Sequence, residues 1–170
     1  SIREFLTMPV AGLRSASQPV MGFNYGAREY KRVKSCIKFI TISSVSYNVI
    51  VWLLLESFPG FFISIFNNDS EILKAGIPVM RIFFSFFFIM ALQQAGQSTF
   101  VALGKSKLAI FFSIFRKVIL VIPLVILLPR LWGLGSTGVF LAEPISEFIG
   151  GITCYGTMML TVWKELQEQL

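Results

Sequence analysis

Histidine is absent from this chain, acidic residues number nine, and charged residues of both signs make up only 14% of its 170 positions. Ordinary soluble domains carry roughly 25%. Without histidine the commonest metal ligand and proton-transfer group is missing. The two cysteines, Cys36 and Cys154, stand apart in apolar surroundings and form neither a disulfide framework nor a metal-ligand spacing. They read as small buried hydrophobes. No GxxxxGK[ST] phosphate loop and no G-x-S-x-G elbow occurs. These absences leave no metal site, no ATPase site and no sign of soluble enzyme chemistry.

What the chain has is apolar surface. Hydrophobic residues are 55% of it, 18 of them phenylalanine, and mean hydropathy is +0.73. A domain of this size in water cannot hide so much, because much of its surface must face solvent. Lipid as solvent removes the difficulty. The expected fold is therefore all-α, a polytopic transmembrane bundle of four to five spanning helices. Strands are a poor alternative, because FSFFFIMAL and VILVIPLVILL do not alternate apolar with polar, as barrel strands must.

A hydrocarbon core of ~30 Å takes about 20 apolar helical residues. Four runs qualify: 36–55, 77–103, 108–129 and 137–163. A fifth, 5–25, is long enough but holds Arg14 and two prolines, so neighbouring helices must cover it. FPGFFISIF is apolar but too short to cross and is expected at the interface. Asp69 is placed to cap a helix starting near Ser70, with Glu71 in its first turn. The glycines and proline of PRLWGLGSTG fit a turn.

The formal charge of +6 sits between the apolar runs rather than along a polar face, which argues for the membrane surface and against nucleic acid. Residues 26–38 carry Arg28, Lys31, Arg32, Lys34 and Lys38 against Glu29, and residues 104–107 carry Lys105 and Lys107. The other two loops lack this excess. Lys and Arg near span ends stay cytoplasmic, so 26–38, 104–107 and the C-terminus are expected inside. The chain starts at Ser1 without a signal peptide, and is expected to be part of a longer protein.

Three blocks go beyond topology. QPVMGFNYGAREYKRVK contains Gln18, Pro19, Gly22, Asn24, Tyr25, Gly26 and Ala27 ahead of a basic run with Arg32 and Lys34. FNNDSEILKAGIPVMRIFF holds Asp69 and Arg81. The third, ALGKSKLAIFFSIFRKVILVIPLVILLPRLWGLGSTGVFLAEPISEF, holds Gly104, Lys105, Arg116, Pro123, Gly138, Glu143, Pro144 and Ser146. In this order and spacing they resemble the C-terminal half of multidrug and toxic compound extrusion (MATE) transporters, over nearly the whole chain. The resemblance implies helices eight to twelve of a twelve-helix, two-bundle protein, with residues 1–170 as its C-terminal bundle. It implies export of cationic or amphipathic organic compounds by Na⁺ or H⁺ antiport and alternating access, with no covalent cofactor. Expected partners are the lipid bilayer, small organic cations and the missing N-terminal bundle, in a bacterial plasma membrane. The alternatives are a lipid-linked sugar flippase, which would need a more basic cavity than the few buried cations here offer, and a non-transporting scaffold subunit.

Candidate site residues follow from polar groups placed in apolar runs. Arg116 lies deep in its span, where an unpaired charge costs ~2.5 kcal/mol or more; Glu147 is its expected partner, as a packing pair or a gating element. Glu143, beside Pro144, is either a proton or cation acceptor or the partner of Arg81 in a structural pair. Gln93 and Gln97, four apart, share a helix face with Gln94 beside it, for substrate contact or for bonds between helices. Tyr47 and Asn48 line a cavity or bond across helices. Some family members carry an acid in the tenth helix for the coupling cation. Residues 77–103 contain none, so the coupling acid lies on the missing half or is replaced by Glu143 and Glu147.

Overall fold

The computed structural model describes residues 2–131 and 134–169. Trp132 and Gly133, within the expected fourth loop, lie outside the described residues. Among those described there is no strand, and nine α-helices follow one another: α1 Ile2–Gly26, α2 Tyr30–Ser57, α3 Pro59–Ser64, α4 Ser70–Phe84, α5 Phe87–Ala102, α6 Ser106–Ile114, α7 Ile122–Leu127, α8 Ser136–Met158 and α9 Lys164–Glu168. Two π-helical segments, Phe115–Val121 and Met159–Trp163, join α6 to α7 and α8 to α9. Tyr30–Ser57, Ser106–Leu127 and Ser136–Glu168 are each long and apolar enough to cross a membrane. α1 falls outside that set, as its charges lead one to expect, although 25 residues rise about 37 Å at 1.5 Å each.

The expected single span over 77–103 is instead two helices, α4 and α5, bent by 42° at their junction. The cause is local. Ser85 Oγ donates to the carbonyls of Arg81 (2.9 Å) and Ile82 (2.8 Å), competing with the backbone ladder. Phe86 then leaves helical geometry at φ −116°, ψ 23°. Counted as one broken span, the pair is long and apolar enough to make a fourth crossing.

Other local expectations fit. Asp69 accepts from the amide of Glu71 at 2.9 Å and starts α4. FPGFFISIF gives only the six-residue α3. The first turn is tighter than its composition announces: Arg28 takes φ 60°, a left-handed conformation usually left to glycine.

α5 is the central helix and packs against α8, α2 and α1. Missing side chains permit this. A Cβ on Gly22 of α1 would stand 3.1 Å from the carbonyl of Ala102, and one on Gly151 of α8 would stand 2.6 Å from Ile89 Cγ2. Two apolar clusters fill the interior. One gathers Met21, Ile37, Phe100, Phe112, Cys154 and Met158 toward the Tyr25 end of α1. The other gathers Leu6, Val51, Leu55, Phe84, Phe87 and Met90 toward its Arg3 end. Between them lies a buried polar layer: Ser17, Ser44, Asn48, Gln93, Ser98, Ser146 and Glu147. Outside, large apolar side chains stand free, among them Phe23 at 78% and Leu160 at 77% exposure. A bundle with apolar side chains outside and polar ones within is built for lipid.

Candidate functional site: a four-charge cluster in the bundle

Glu143 and Glu147 are four apart on α8, which puts both on the face turned to α1 and to the π-helical segment. Arg3, in the first turn of α1, reaches both: Nη1 donates to Glu143 Oε1 at 2.5 Å and Nη2 to Glu147 Oε1 at 2.5 Å. Arg116 reaches the same two carboxylates, at 3.2 Å from Glu143 and 3.7 Å from Glu147. Two guanidiniums and two carboxylates thus share one site with zero net formal charge. Glu147 is its deepest member, with 2% of its side chain exposed, against 13% for Arg116 and 21% for Glu143.

The surroundings hold the cluster in place. Arg3 also meets Met90 Sδ at 3.2 Å and lies 5.6 Å from the ring centre of Phe83. Gly150 leaves room for the stem of Arg116, since a Cβ there would stand 3.1 Å from Arg116 Cδ. It would also stand 3.4 Å from Gln93 Oε1, a buried oxygen with no hydrogen-bond partner. Arg116 sits on the widened turn that precedes Pro123, which has no N–H to give the carbonyl of Ile119. Chemically, the arrangement can exchange an arginine for a proton or a small cation at either carboxylate. Both changes preserve charge balance where imbalance is expensive.

The other expected residues fall elsewhere. Arg81 does not pair with Glu143. It is over half exposed, 4.0 Å from Glu56 and 3.4 Å from its carbonyl, because α4 places it at the rim and Arg3 has taken the acid. Tyr47 donates to the carbonyl of Leu6 at 3.0 Å, and Asn48 to that of Phe87 at 3.2 Å. Both tie helices together. Gln97 donates to the carbonyl of Ala109 at 3.3 Å, and Gln94 keeps a buried oxygen without a partner.

Of the motif residues, Gln18 and Pro19 lie within α1, where Gln18 Nε2 comes within 3.5 Å of Ser98 Oγ. Asn24 donates to the carbonyl of Val20 at 2.8 Å, Gly26 closes the helix and Ala27 starts the turn. Tyr25 donates to Glu165 at 2.8 Å, and Glu165 also pairs with Lys105. Lys34 and Lys38 lie over the ring of Trp163, at 4.4 and 5.8 Å. The three segments expected inside, 26–38, 104–107 and the C-terminus, therefore meet at one end of the bundle. Arg3 is the member that sequence reasoning missed. Its only signal was a charge two residues ahead of the weakest expected span, 5–25.

The MatE family model matches residues 1–127. A comparison with curated proteins returned no match. Among solved structures the chain is similar to the MATE multidrug transporter DinF-BH in complex with rhodamine 6G, at 32% identity and TM-score 0.85, covering 94% of this chain and 35% of that one. The inward-facing conformation of a multidrug resistance MATE family transporter of the MOP superfamily gives 16% identity and TM-score 0.86, covering 98% and 38%. An outward-facing conformation of such a transporter gives 17% and 0.88, covering 98% and 37%. The chain spans little more than a third of the length of these structures, and by its match to the family model it belongs to the MATE family.

Proposed function

We propose that residues 1–170 are the C-terminal bundle of a secondary active transporter, helices eight to twelve of twelve, and that an N-terminal bundle supplies the opposite wall of the cavity. The protein exports cationic or amphipathic organic compounds in exchange for Na⁺ or H⁺. Loops 26–38 and 104–107 and the C-terminus face the cytoplasm of a bacterial cell.

The observation that carries this reading is the four-charge cluster. A scaffold has no need of two carboxylates and two guanidiniums drawn from three helices into an apolar interior. An exchanger does, because a proton or cation arriving at Glu143 or Glu147 releases an arginine and changes which helices are held together. The near-equal fold match to inward-facing and outward-facing structures supports alternating access in which this bundle moves as a body.

The test is efflux of rhodamine 6G from proteoliposomes that hold the full-length protein, under an imposed Na⁺ or pH gradient. One gradient is expected to drive dye movement. Glu147→Gln should remove the gradient dependence while leaving dye binding in place. No gradient-driven movement with either ion sinks the proposal.

A further inference from the structure

Two further cations at mid-helix take no part in the cluster: Arg14 is partly buried and Lys117 is exposed. Arg14 stands halfway along α1, and Lys117 stands halfway along Ser106–Leu127. At ~1.5 Å per residue each lies roughly 15–18 Å from either end of its helix, near mid-membrane. They line one cavity of about 290 Å³ between α1, α5 and the α6 segment, together with Gln18, Gln97, Ser98 and Ser113. The two lie far apart in the sequence, but the fold puts them at the same cavity. Among the described residues neither is within ion-pair distance of a carboxylate: Glu143 and Glu147 are held by Arg3 and Arg116, Glu165 by Lys105, and Glu56 by Arg81. Arg116, the neighbour of Lys117 in sequence, turns to α8 instead.

We propose that this cavity is an anion site that takes the carboxylate of an amphipathic organic compound, its apolar part lying along Val101 and the lipid-facing side chains beyond. Two cations lining one cavity at mid-span attract an anionic oxygen group, and guanidinium and ammonium donors bind one by charge-assisted hydrogen bonds. The Gln18 and Gln97 amides and the Ser113 hydroxyl add neutral donors. A lipid headgroup does not reach this depth. A cationic compound is repelled by both charges, so the site is separate from any site for exported cations and stands independently of the export reading.

The test uses the full-length protein in nanodiscs of phosphatidylcholine alone. The probe is 11-(dansylamino)undecanoate, with its methyl ester as the neutral control, followed by dansyl fluorescence. The carboxylate is expected to bind and the ester not. Arg14→Gln and Lys117→Gln should each weaken carboxylate binding about tenfold, and Arg14→Lys should restore part of it. Thermal melting checks that each variant is folded. Equal binding of ester and carboxylate by the unaltered protein overturns the proposal whatever the variants do. So does carboxylate binding that both glutamine variants leave unchanged. A third result also overturns it: no carboxylate binding, with melting lowered by either variant, since the two cations then pair with an acid from the rest of the protein. Rhodamine 6G efflux measured in parallel separates this site from the transport reading, because its loss with carboxylate binding intact counts against transport alone.

Discussion

Arg3 and Glu147 are 144 positions apart in the chain and 2.5 Å apart in the fold, the first at the head of α1 and the second in the middle of α8. The contact joins the first helix to the last long one, across most of the sequence. It also makes Glu147 share two cations, Arg3 and Arg116, with Glu143.

Breaking the cluster from one side should cost more than its small size implies. Arg116→Ala leaves Glu143 and Glu147 with one arginine between them in a site of little solvent access. Removing one partner of a buried pair costs about 3–5 kcal/mol. Loss of monodisperse protein on heating, followed by size exclusion in detergent, should move down by several degrees. Arg116→Lys should recover part of the loss, because it returns the charge without the forked geometry.

The closeness of α5 and α8 makes a second, purely steric prediction. In Gly151→Ala the new methyl would stand 2.6 Å from Ile89 Cγ2 and 2.8 Å from the Ile89 carbonyl, and the backbone has no free rotor to yield. Overpacking of this kind costs roughly 1–3 kcal/mol. Gly156→Ala on the same helix meets nothing within 4 Å and should melt like the unaltered protein.

Tyr47 separates bonding between helices from substrate contact. Tyr47→Phe removes one hydrogen bond to the Leu6 carbonyl, and such bonds in membranes average about 0.6 kcal/mol. The expected outcome is a small drop in melting temperature with rhodamine 6G binding unchanged. A large loss of dye affinity without a change in melting would place Tyr47 in the cavity instead.

At the opposite end, Glu165 holds both Tyr25 and Lys105, but Lys105 is 28% exposed and Glu165 is 34% exposed. Solvent-screened pairs contribute about 0–1 kcal/mol. Glu165→Gln should therefore change melting little. A double-mutant cycle of Glu165→Gln with Lys105→Met should return a coupling below ~1 kcal/mol.

Much of the fold was legible because lipid imposes a simple code. Long uncharged runs, breakers between them and basic loops in alternation already delimit most of the helices that the structure displays. The 42° bend at Ser85–Phe86 was not legible, because hydropathy averages over a window and cannot register one hydroxyl competing for a carbonyl. Arg116 and Glu147 stood out as charges inside apolar runs. Arg3 did not, since a charge near a helix end is ordinary until another helix brings a carboxylate to it. The reading that paired Glu143 with Arg81, one of two, fails for the same reason: similar depth in two helices does not say whether they are neighbours.

Composition and order alone determined that this chain is a set of membrane helices, and that most of the ionic and amide groups within its spans turn inward, because the transfer of charge into hydrocarbon is costly at every point along a helix. Which of those groups meet was decided only by tertiary packing. Glycine-mediated approach of α5 to α8 and α1, a widened turn before Pro123 and the rotation of each helix about its axis set the distances, and a hydrogen bond or ion pair depends on ångströms that no one-dimensional pattern encodes.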